Sequence, residues 1–450
     1  MNKLSTKIIK NFGANTLSML LITSFQIISV PIFIKFWGVE FYGEWIILNA
    51  LTAYFSMTDI GINTATANEY SFKYAQGKYI QANILLNNNI LFILIAFSIL
   101  LSFLLLITSV FDITKLLSLE LINSKVAKIS LIVLFLQVFI GVMSNTLNTI
   151  YRAKGEFSRG MNIDNFIRLG EYIVTVLVLI LNYSILELVI SVFVVKFLAF
   201  LIKVIDSKKI INYKLSLKFI SYKEFIRIIK PSISFLSFPI ANSILLQGYL
   251  LIINSFLGST AVVVFKTVRT MVFLMKAAVG LINSSLWPEF AVEFGKNKLQ
   301  TIRKMHRFSV KSSVIFTIFL SIFLLIFGEN IYYMWIGNEI EFNTLLFHLL
   351  LLSVILNSIW NSSVLVLQAT NEHQEFSILY VVLTLISLTV AYIILLTTSR
   401  IELIPLSLYI TDLILIIYVF KKSLKIVDDD IKNLIFSLKF DLQKLKSYIF

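Results

Sequence analysis

Runs of about twenty apolar residues recur from end to end of this 450-residue chain. An α-helix rises 1.5 Å per residue, so about 20 such residues cross the hydrocarbon core of a bilayer. The composition agrees: 58% of the residues are hydrophobic and 14% charged, against about a quarter charged in a soluble domain. The runs are continuous rather than alternating, which argues against a β-barrel. The expected class is an all-α polytopic membrane protein. Twelve spans are read, at 12–34, 41–66, 84–110, 127–150, 161–181, 185–205, 231–256, 261–286, 310–328, 343–368, 376–397 and 402–420. The first is basic and then apolar, but it runs past Pro31 without a small-residue cleavage site, so it reads as a retained span.

The links between spans alternate in charge. Odd links such as "KFWGVE", "NYSI" and "LGST" are short and poor in cations. Even links and both ends are basic: Lys3, Lys7 and Lys10; Lys73 and Lys78; Arg152, Lys154 and Arg159; seven cations across 206–230; five across 290–309; Lys421, Lys422 and Lys425. Lys and Arg collect on the cytoplasmic side, which places both termini there and requires an even number of spans. The exception is "NEHQE", 371–375, which has no Lys or Arg. Much of the net charge of +14 thus lies in these loops and needs no nucleic-acid partner.

The basic 206–230 link divides the chain, and the halves align weakly. Setting "FWGVEFYGEW" beside "FLGSTAVVVF" places Gly38 on Gly258, and further on Asn63 on Asn283 and Glu69 on Glu289. Later, "YRAKGEF" over "LQATNEH" pairs Ala153 with Ala369 and Glu156 with Glu372. The expected organisation is a six-helix lobe at 1–205, the linker 206–230, a second six-helix lobe at 231–423 and a tail at 424–450. Six spans per half give a parallel repeat, and transporters built so hold substrate between the repeats. In the tail, Ile431, Leu434, Ile435, Leu438, Leu442, Leu445 and Ile449 follow helical spacing with lysines between them. They predict an amphipathic helix, lying on the inner leaflet or packed on the bundle. Asp428 to Asp430 suit its positive N-terminal end.

The segment "VFKTVRTMVFLMKAAVGL", 264–281, carries three cations and no acid inside an apolar run. At about 100° per residue, Arg269 and Lys276 fall about 20° apart, with Lys266 about 80° from Lys276. The stripe runs along about 15 Å of helix, opposite Val263, Val272 and Val279. Ionisable groups inside a span face the bundle interior or a wet cavity, so an anion-binding wall is expected here. The competing reading has Lys266 snorkelling to the headgroups and Lys276 paired to a neighbour. Lys196 is a second candidate cavity cation. Arg168 and Glu171, three apart, read first as an internal ion pair. Asp59 is a candidate for ion coupling or structural pairing. Gln26 and Gln247 sit at near-equivalent repeat positions and suit a sugar or a helix–helix bond. Asp412 has no assignment.

Enzymatic constellations are missing. His306, His348 and His373 lie apart from carboxylates at ligand spacing, and there is no Cys. No phosphate-binding G-x-x-x-x-G-K-[ST] loop occurs. Neither a catalytic residue, a metal nor an organic cofactor is expected.

Residues 11–70, with Phe41-Tyr42-Gly43-Glu44-Trp45 and Asp59-Ile60-Gly61, and "YRAKGEFSRGMNIDNFIRLGEY" later, resemble the polysaccharide-transporter branch of the multidrug/oligosaccharidyl-lipid/polysaccharide exporter (MOP) superfamily. The nearest group is the O-antigen or capsule repeat-unit flippases of the Wzx type. The resemblance implies a V-shaped, alternating-access bundle in a bacterial inner membrane. It implies an undecaprenyl-pyrophosphate-linked oligosaccharide as substrate, membrane lipids, a glycan polymerase and glycosyltransferases as partners, and H+ or Na+ as coupling ion. A pyrophosphate suits Lys and Arg by charge and geometry. Two alternatives stay open: a multidrug/cation antiporter, and a non-transporting membrane subunit of a glycan-assembly complex. Against the first, Phe12 to Ile34 contains no acid.

Overall fold

The structure is a computed structural model that describes residues 3–56, 62–295, 299–370, 372 and 374–438. These residues form α1 (Lys3–Ser56), α2 (Ile62–Ala75), α3 (Tyr79–Val110), the single turn α4 (Ile113–Leu116), α5 (Ser124–Lys154), α6 (Phe157–Ile180) and α7 (Ile185–Ile210). Then follow α8 (Tyr222–Gly295), α9 (Leu299–Ile336), α10 (Thr344–Ala369), α11 (Gln374–Thr398), α12 (Pro405–Val427) and α13 (Ile431–Leu438). Among the described residues, nine stretches of helix are long and apolar enough to cross a membrane. Two of those lie in α1 and α8, which each break once, at Gly38 (φ 76°, ψ 168°) and Gly258 (φ 79°, ψ 178°). The 24-residue α6 is of spanning length and carries Asp164, Arg168 and Glu171 in its body. With the two breaks and α6 counted, the described helices account for the expected spans, apart from 57–61 of the second, which lie outside the described residues. The protein is an integral, multi-pass, all-helical membrane protein.

Most helices outrun their apolar runs. Residues 206–210 complete α7, and 222–230 open α8, so little of the basic link is loop. The rest is stapled to α3 by asparagines. Asn83 and Asn87 both donate to the Lys214 carbonyl, while their own carbonyls accept from Lys214 N and Ser216 N. Asn88 exchanges a pair of bonds with the Ser221 backbone. Each amide side chain satisfies backbone groups that have no helical partner.

The duplication is visible in the backbone. Gly38 and Gly258 share a conformation that is essentially restricted to glycine. Asn123 and Asn343, 220 positions apart, both cap the helix that follows with the side-chain oxygen. At the other end of those helices the offset is 216. Glu156 N donates to Tyr151 O at 2.8 Å, and Glu372 N to Leu367 O at 2.9 Å. Arg159 on α6 pairs with Asp206 on α7 at 2.7 Å. At the equivalent positions Glu375 on α11 pairs with Lys422 on α12 at 2.8 Å. The bridge is kept and its polarity reversed. Lys422 thus supplies the cation missing from 371–375. The side chains of Asn283 and Glu289 lie outside the described residues.

Two compact units pack separately, Met1–Val263 and Val264–Phe450. The division falls inside α8, so the packing boundary differs from the 206–230 repeat boundary. The reason is local. Asn254 on α8 donates to the Leu117 carbonyl at 2.5 Å and to that of Ser118 at 3.3 Å. Ser259 lies so close to Gly43 that a Cβ there would overlap its backbone. The next residue, Glu44, is 1% exposed and accepts from Glu120 N, Leu121 N and Ile122 N at 2.6–2.8 Å. One buried carboxylate therefore holds the loop before α5, a charge-assisted arrangement. Phe33, Trp37 and Trp45 cluster beside it.

In the tail, α12 runs on to Val427, beyond the expected boundary at 424. Leu434 of α13 packs on Val310 of α9 and Leu424, so this part of the tail lies on the bundle. Residues 439–450 lie outside the described residues. Of the three aspartates only Asp430 precedes α13 directly. Asp428 and Asp429 instead bind Arg303 and Arg307 of α9.

Burial raises the Asp429 carboxyl, but the Arg307 guanidinium outweighs it and holds the carboxyl below the ordinary aspartate value. Folded-state depression means full stabilisation above that value and loss as pH falls through the lower folded one. Hydrogen-exchange protection of 431–438, taken relative to the intrinsic rate at each pH, is expected to be high at pH 7 and to fall below about pH 4; in the Arg307→Gln protein it is expected to be low at both. For the kinks, Gly258→Ala adds no clash but forces alanine into a glycine-only conformation. It is expected to cost about 1–3 kcal/mol in unfolding stability, measured by thermal melts of the purified protein.

Candidate functional site

Each unit carries charge inside its helices, and the two sets differ. In the second unit, α8 buries Val268, Val272, Met275 and Val279 together with Phe265. That packed face is the valine face expected from the sequence. Lys266 and Lys276 are half-buried, and Arg269 is only 9% exposed. The Arg269 guanidinium lies 5.4 Å from the Phe265 ring, and the Lys276 ammonium 5.4 Å from Phe273. An aromatic face stabilises a cation by about 0.5–2 kcal/mol, less than desolvation of a charge costs. Arg269 also acts on Lys266 as a like charge.

Asp412 of α12 acts electrostatically on Lys276, but no ion pair closes between them among the described residues. Its carboxylate accepts instead from Trp360 Nε1 at 2.8 Å and Asn357 Nδ2 at 3.4 Å. The sequence left Asp412 unassigned because these partners lie about fifty residues away on α10.

The first unit brings Arg168, Glu171 and Lys196 together, with a correction. Glu171 does not pair with Arg168. It pairs with Lys196 on α7 at 3.4 Å, because its carboxylate turns across to the neighbouring helix rather than along its own. Arg168 donates to Ser18 Oγ and to Asn165 Oδ1 at 3.1 Å, and forms no ion pair among the described residues. Sequence reasoning missed two further pairs here. Lys203, with no exposed side-chain surface, binds Asp164 at 2.5 Å, and Asn148 also donates to Asp164, at 2.9 Å. Asp206 accepts from Tyr151 at 2.8 Å besides Arg159. The available signal was the row of charges on α6 and α7 at spacings of three to seven.

Two adjoining cavities open on this cluster. One of about 220 Å³ is lined by Phe25, Trp45, Gln137, Tyr172, Glu171 and Lys196 among others. The other, about 140 Å³, is lined by Gly141, Ser144, Asp164, Arg168, Glu171 and Lys196 with three neighbours. Gln26 is exposed and Gln247 half-buried; neither makes a side-chain hydrogen bond among the described residues. Asp59 lies outside the described residues. No cluster with metal-ligand composition occurs among them.

The helical architecture matches transporters of the MOP superfamily. No protein-family model and no curated protein sequence matches the chain. Solved structures do. An inward-facing multidrug-resistance MATE-family transporter of the MOP superfamily is 12% identical, over 92% of this chain and 98% of that one, with a TM-score of 0.72. A MOP-superfamily transporter from Pyrococcus furiosus Vc1, described by a binding pocket of reversed polarity that suggests a different function, is 14% identical. It covers 97% of this chain and 96% of its own, with a TM-score of 0.60. An outward-facing MATE-family transporter is 15% identical over 97% and 96%, with a TM-score of 0.58. At such identities the likeness establishes the fold, which is that of these transporters.

Unpairing one partner of a buried ion pair costs about 3–5 kcal/mol, while replacing both with apolar groups is often neutral. The second repeat holds Val419 and Tyr380 where the first holds Lys203 and Asp164. Lys203→Val alone is therefore expected to lower stability by about that much. The double change Lys203→Val with Asp164→Tyr is expected to recover most of it, measured by unfolding midpoints in detergent.

Proposed function

We propose that this chain is a flippase that moves an undecaprenyl-pyrophosphate-linked oligosaccharide from the inner to the outer leaflet of a bacterial inner membrane. It works by alternating access coupled to an ion gradient. The observation that carries the reading is the sign of the charge on α8. Lys266, Arg269 and Lys276 share a helix with no acid between 264 and 281, and Arg269 is buried. A polyanionic headgroup is the ligand this arrangement favours. In the polar interior it would meet charge-assisted hydrogen bonds, while its lipid tail stays in hydrocarbon.

The MATE-type fold suits a multidrug/cation antiporter equally. What weighs against it is polarity: an organic cation would meet like charges on α8. The relative from Pyrococcus furiosus, whose pocket polarity is described as reversed, supports reading polarity as a guide to cargo on this fold. Asp59 stays a candidate for coupling, with H+ or Na+ as the ion. Gln26 and Gln247, free of side-chain hydrogen bonds to the described residues, are candidates for contact with sugar hydroxyls. A glycan polymerase and glycosyltransferases are the partners this role needs.

The test is charge reversal in the native host. The double variant Arg269→Glu with Lys276→Glu is expected to lower surface glycan at least tenfold at normal membrane abundance, whereas Arg269→Lys with Lys276→Arg keeps most of it. Intact glycan in the reversed variant, with loss only on deletion of the chain, would favour the non-transporting subunit. Export of cationic dyes with no change in glycan would favour the antiporter.

A further inference from the structure

The two repeats can be compared position by position through their paired helices. The backbone bonds Glu156 N to Tyr151 O and Glu372 N to Leu367 O fix the ends of α5 and α10 at an offset of 216. The bridges Arg159–Asp206 and Glu375–Lys422 fix α6 with α11 and α7 with α12 at the same offset. Both α5 and α10 are unbroken back from those ends. Residues at equal distances from the ends therefore occupy the same place in each repeat.

By this register Lys196 stands where the second repeat has Asp412. Around Asp412 the second repeat is plugged. Trp360 donates to its carboxylate, and the Trp360 ring packs 5.8 Å from Phe376 and 5.9 Å from Tyr380. The first-repeat equivalents of Trp360, Phe376 and Tyr380 are Ser144, Gly160 and Asp164, and that of Asn357 is Gly141. Three aromatic side chains and an amide have given way to small or acidic residues. The 140 Å³ cavity lined by Gly141, Ser144, Asp164, Arg168 and Lys196 opens at the places of Asn357, Trp360 and Tyr380, while the Tyr151 ring and Asn148 close in on Gly160, the place of Phe376.

The cavity has a sign. The charged lining itself balances, Asp164 and Glu171 against Arg168 and Lys196; Lys203, buried outside the lining, neutralises Asp164 and so leaves one cation in excess. Asp164 is taken by Lys203 and Glu171 by Lys196. The unmatched group is Arg168, which has only the neutral oxygens of Ser18 and Asn165. Ser144 Oγ, buried at the cavity wall, has no hydrogen-bond partner. A planar guanidinium with spare donors beside a spare hydroxyl is suited to a carboxylate. The cavity and its 220 Å³ neighbour share Glu171 and Lys196. Together they are near the lower end of small-molecule sites, about 300–1,000 Å³, which fits a single sugar ring and not a whole oligosaccharide. The larger part offers Phe25 and Tyr172, stacked at 3.7 Å, as its apolar wall.

We propose that the pocket at Arg168, Ser144 and Lys196 is an anion subsite that takes the carboxylate of an acidic sugar. The inference rests on the flippase reading, and names a feature of its cargo: the carried oligosaccharide contains a uronic-acid-type residue besides its pyrophosphate. Two sites of the same sign, one per repeat unit, would then hold two separate negative groups.

The test is binding to the purified full chain in nanodiscs, with glucuronate, glucose and inorganic phosphate as probes at constant ionic strength. Glucuronate is expected to raise the melting temperature in a saturable way, and glucose not to. Arg168→Gln is expected to weaken glucuronate binding at least tenfold. Ser144→Trp, which restores the residue of the other repeat, is expected to abolish it while keeping or raising the ligand-free melting temperature. Glucuronate binding that is unchanged in Ser144→Trp would overturn the site. So would the absence of glucuronate binding in the unsubstituted chain, an equal response to glucose, or a response to phosphate alone. Because no translocation is measured, the two readings fail separately. Glucuronate binding in a chain that exports cationic dyes would remove the flippase and leave the subsite. Glycan export by a chain that ignores glucuronate would do the reverse.

Discussion

A charged side chain held among apolar helices needs a counter-charge or water, and most of this structure can be read as a way of meeting that need. Desolvating an ion costs several kcal/mol even after relaxation, and no water in the hydrocarbon layer offsets it. In the first unit the need is met inside the protein. Lys203 has Asp164, Lys196 has Glu171, and Arg159 has Asp206. In the second unit the α8 cations lean on the Phe265 and Phe273 rings and feel Asp412 at a remove.

The repeat makes this argument sharper than one site could. Duplication supplied two copies of a six-helix plan, and the copies kept their geometry while exchanging their charges. The bridge between the sixth helix and its neighbour survives with acid and base interchanged. Lys196 and Asp412 likewise occupy equivalent positions of the two repeats with opposite charge. The aromatic plug of Trp360, Phe376 and Tyr380 has no counterpart in the first copy. A scaffold of this kind can change its cargo by inverting charges at fixed positions, without moving its backbone.

The helices were legible from the sequence because each apolar run of about twenty residues has one stable form in lipid. The duplication was legible through Gly38 and Gly258, since a glycine-only conformation leaves a mark that substitution cannot erase. Side-chain pairing was far less so. Arg168 and Glu171 share a helix face, yet Glu171 reaches α7 instead, and nothing in local spacing distinguishes the two outcomes. Glu44 appeared as part of a motif; that its carboxylate binds three consecutive backbone amides, 76 to 78 residues away, depends on tertiary contact. Asp412 was silent for the same reason: its indole and amide donors belong to another helix.

The central claim is that the α8 cations recognise a phosphorylated headgroup. The most direct measurement is transport by the purified chain in proteoliposomes, comparing a pyrophosphate-linked glycolipid with a cationic dye. Arg269→Gln should slow glycolipid movement at least tenfold and leave the dye unmoved in both proteins. Dye accumulation driven by an imposed ion gradient, with the glycolipid static and Arg269→Gln without effect, would contradict the account.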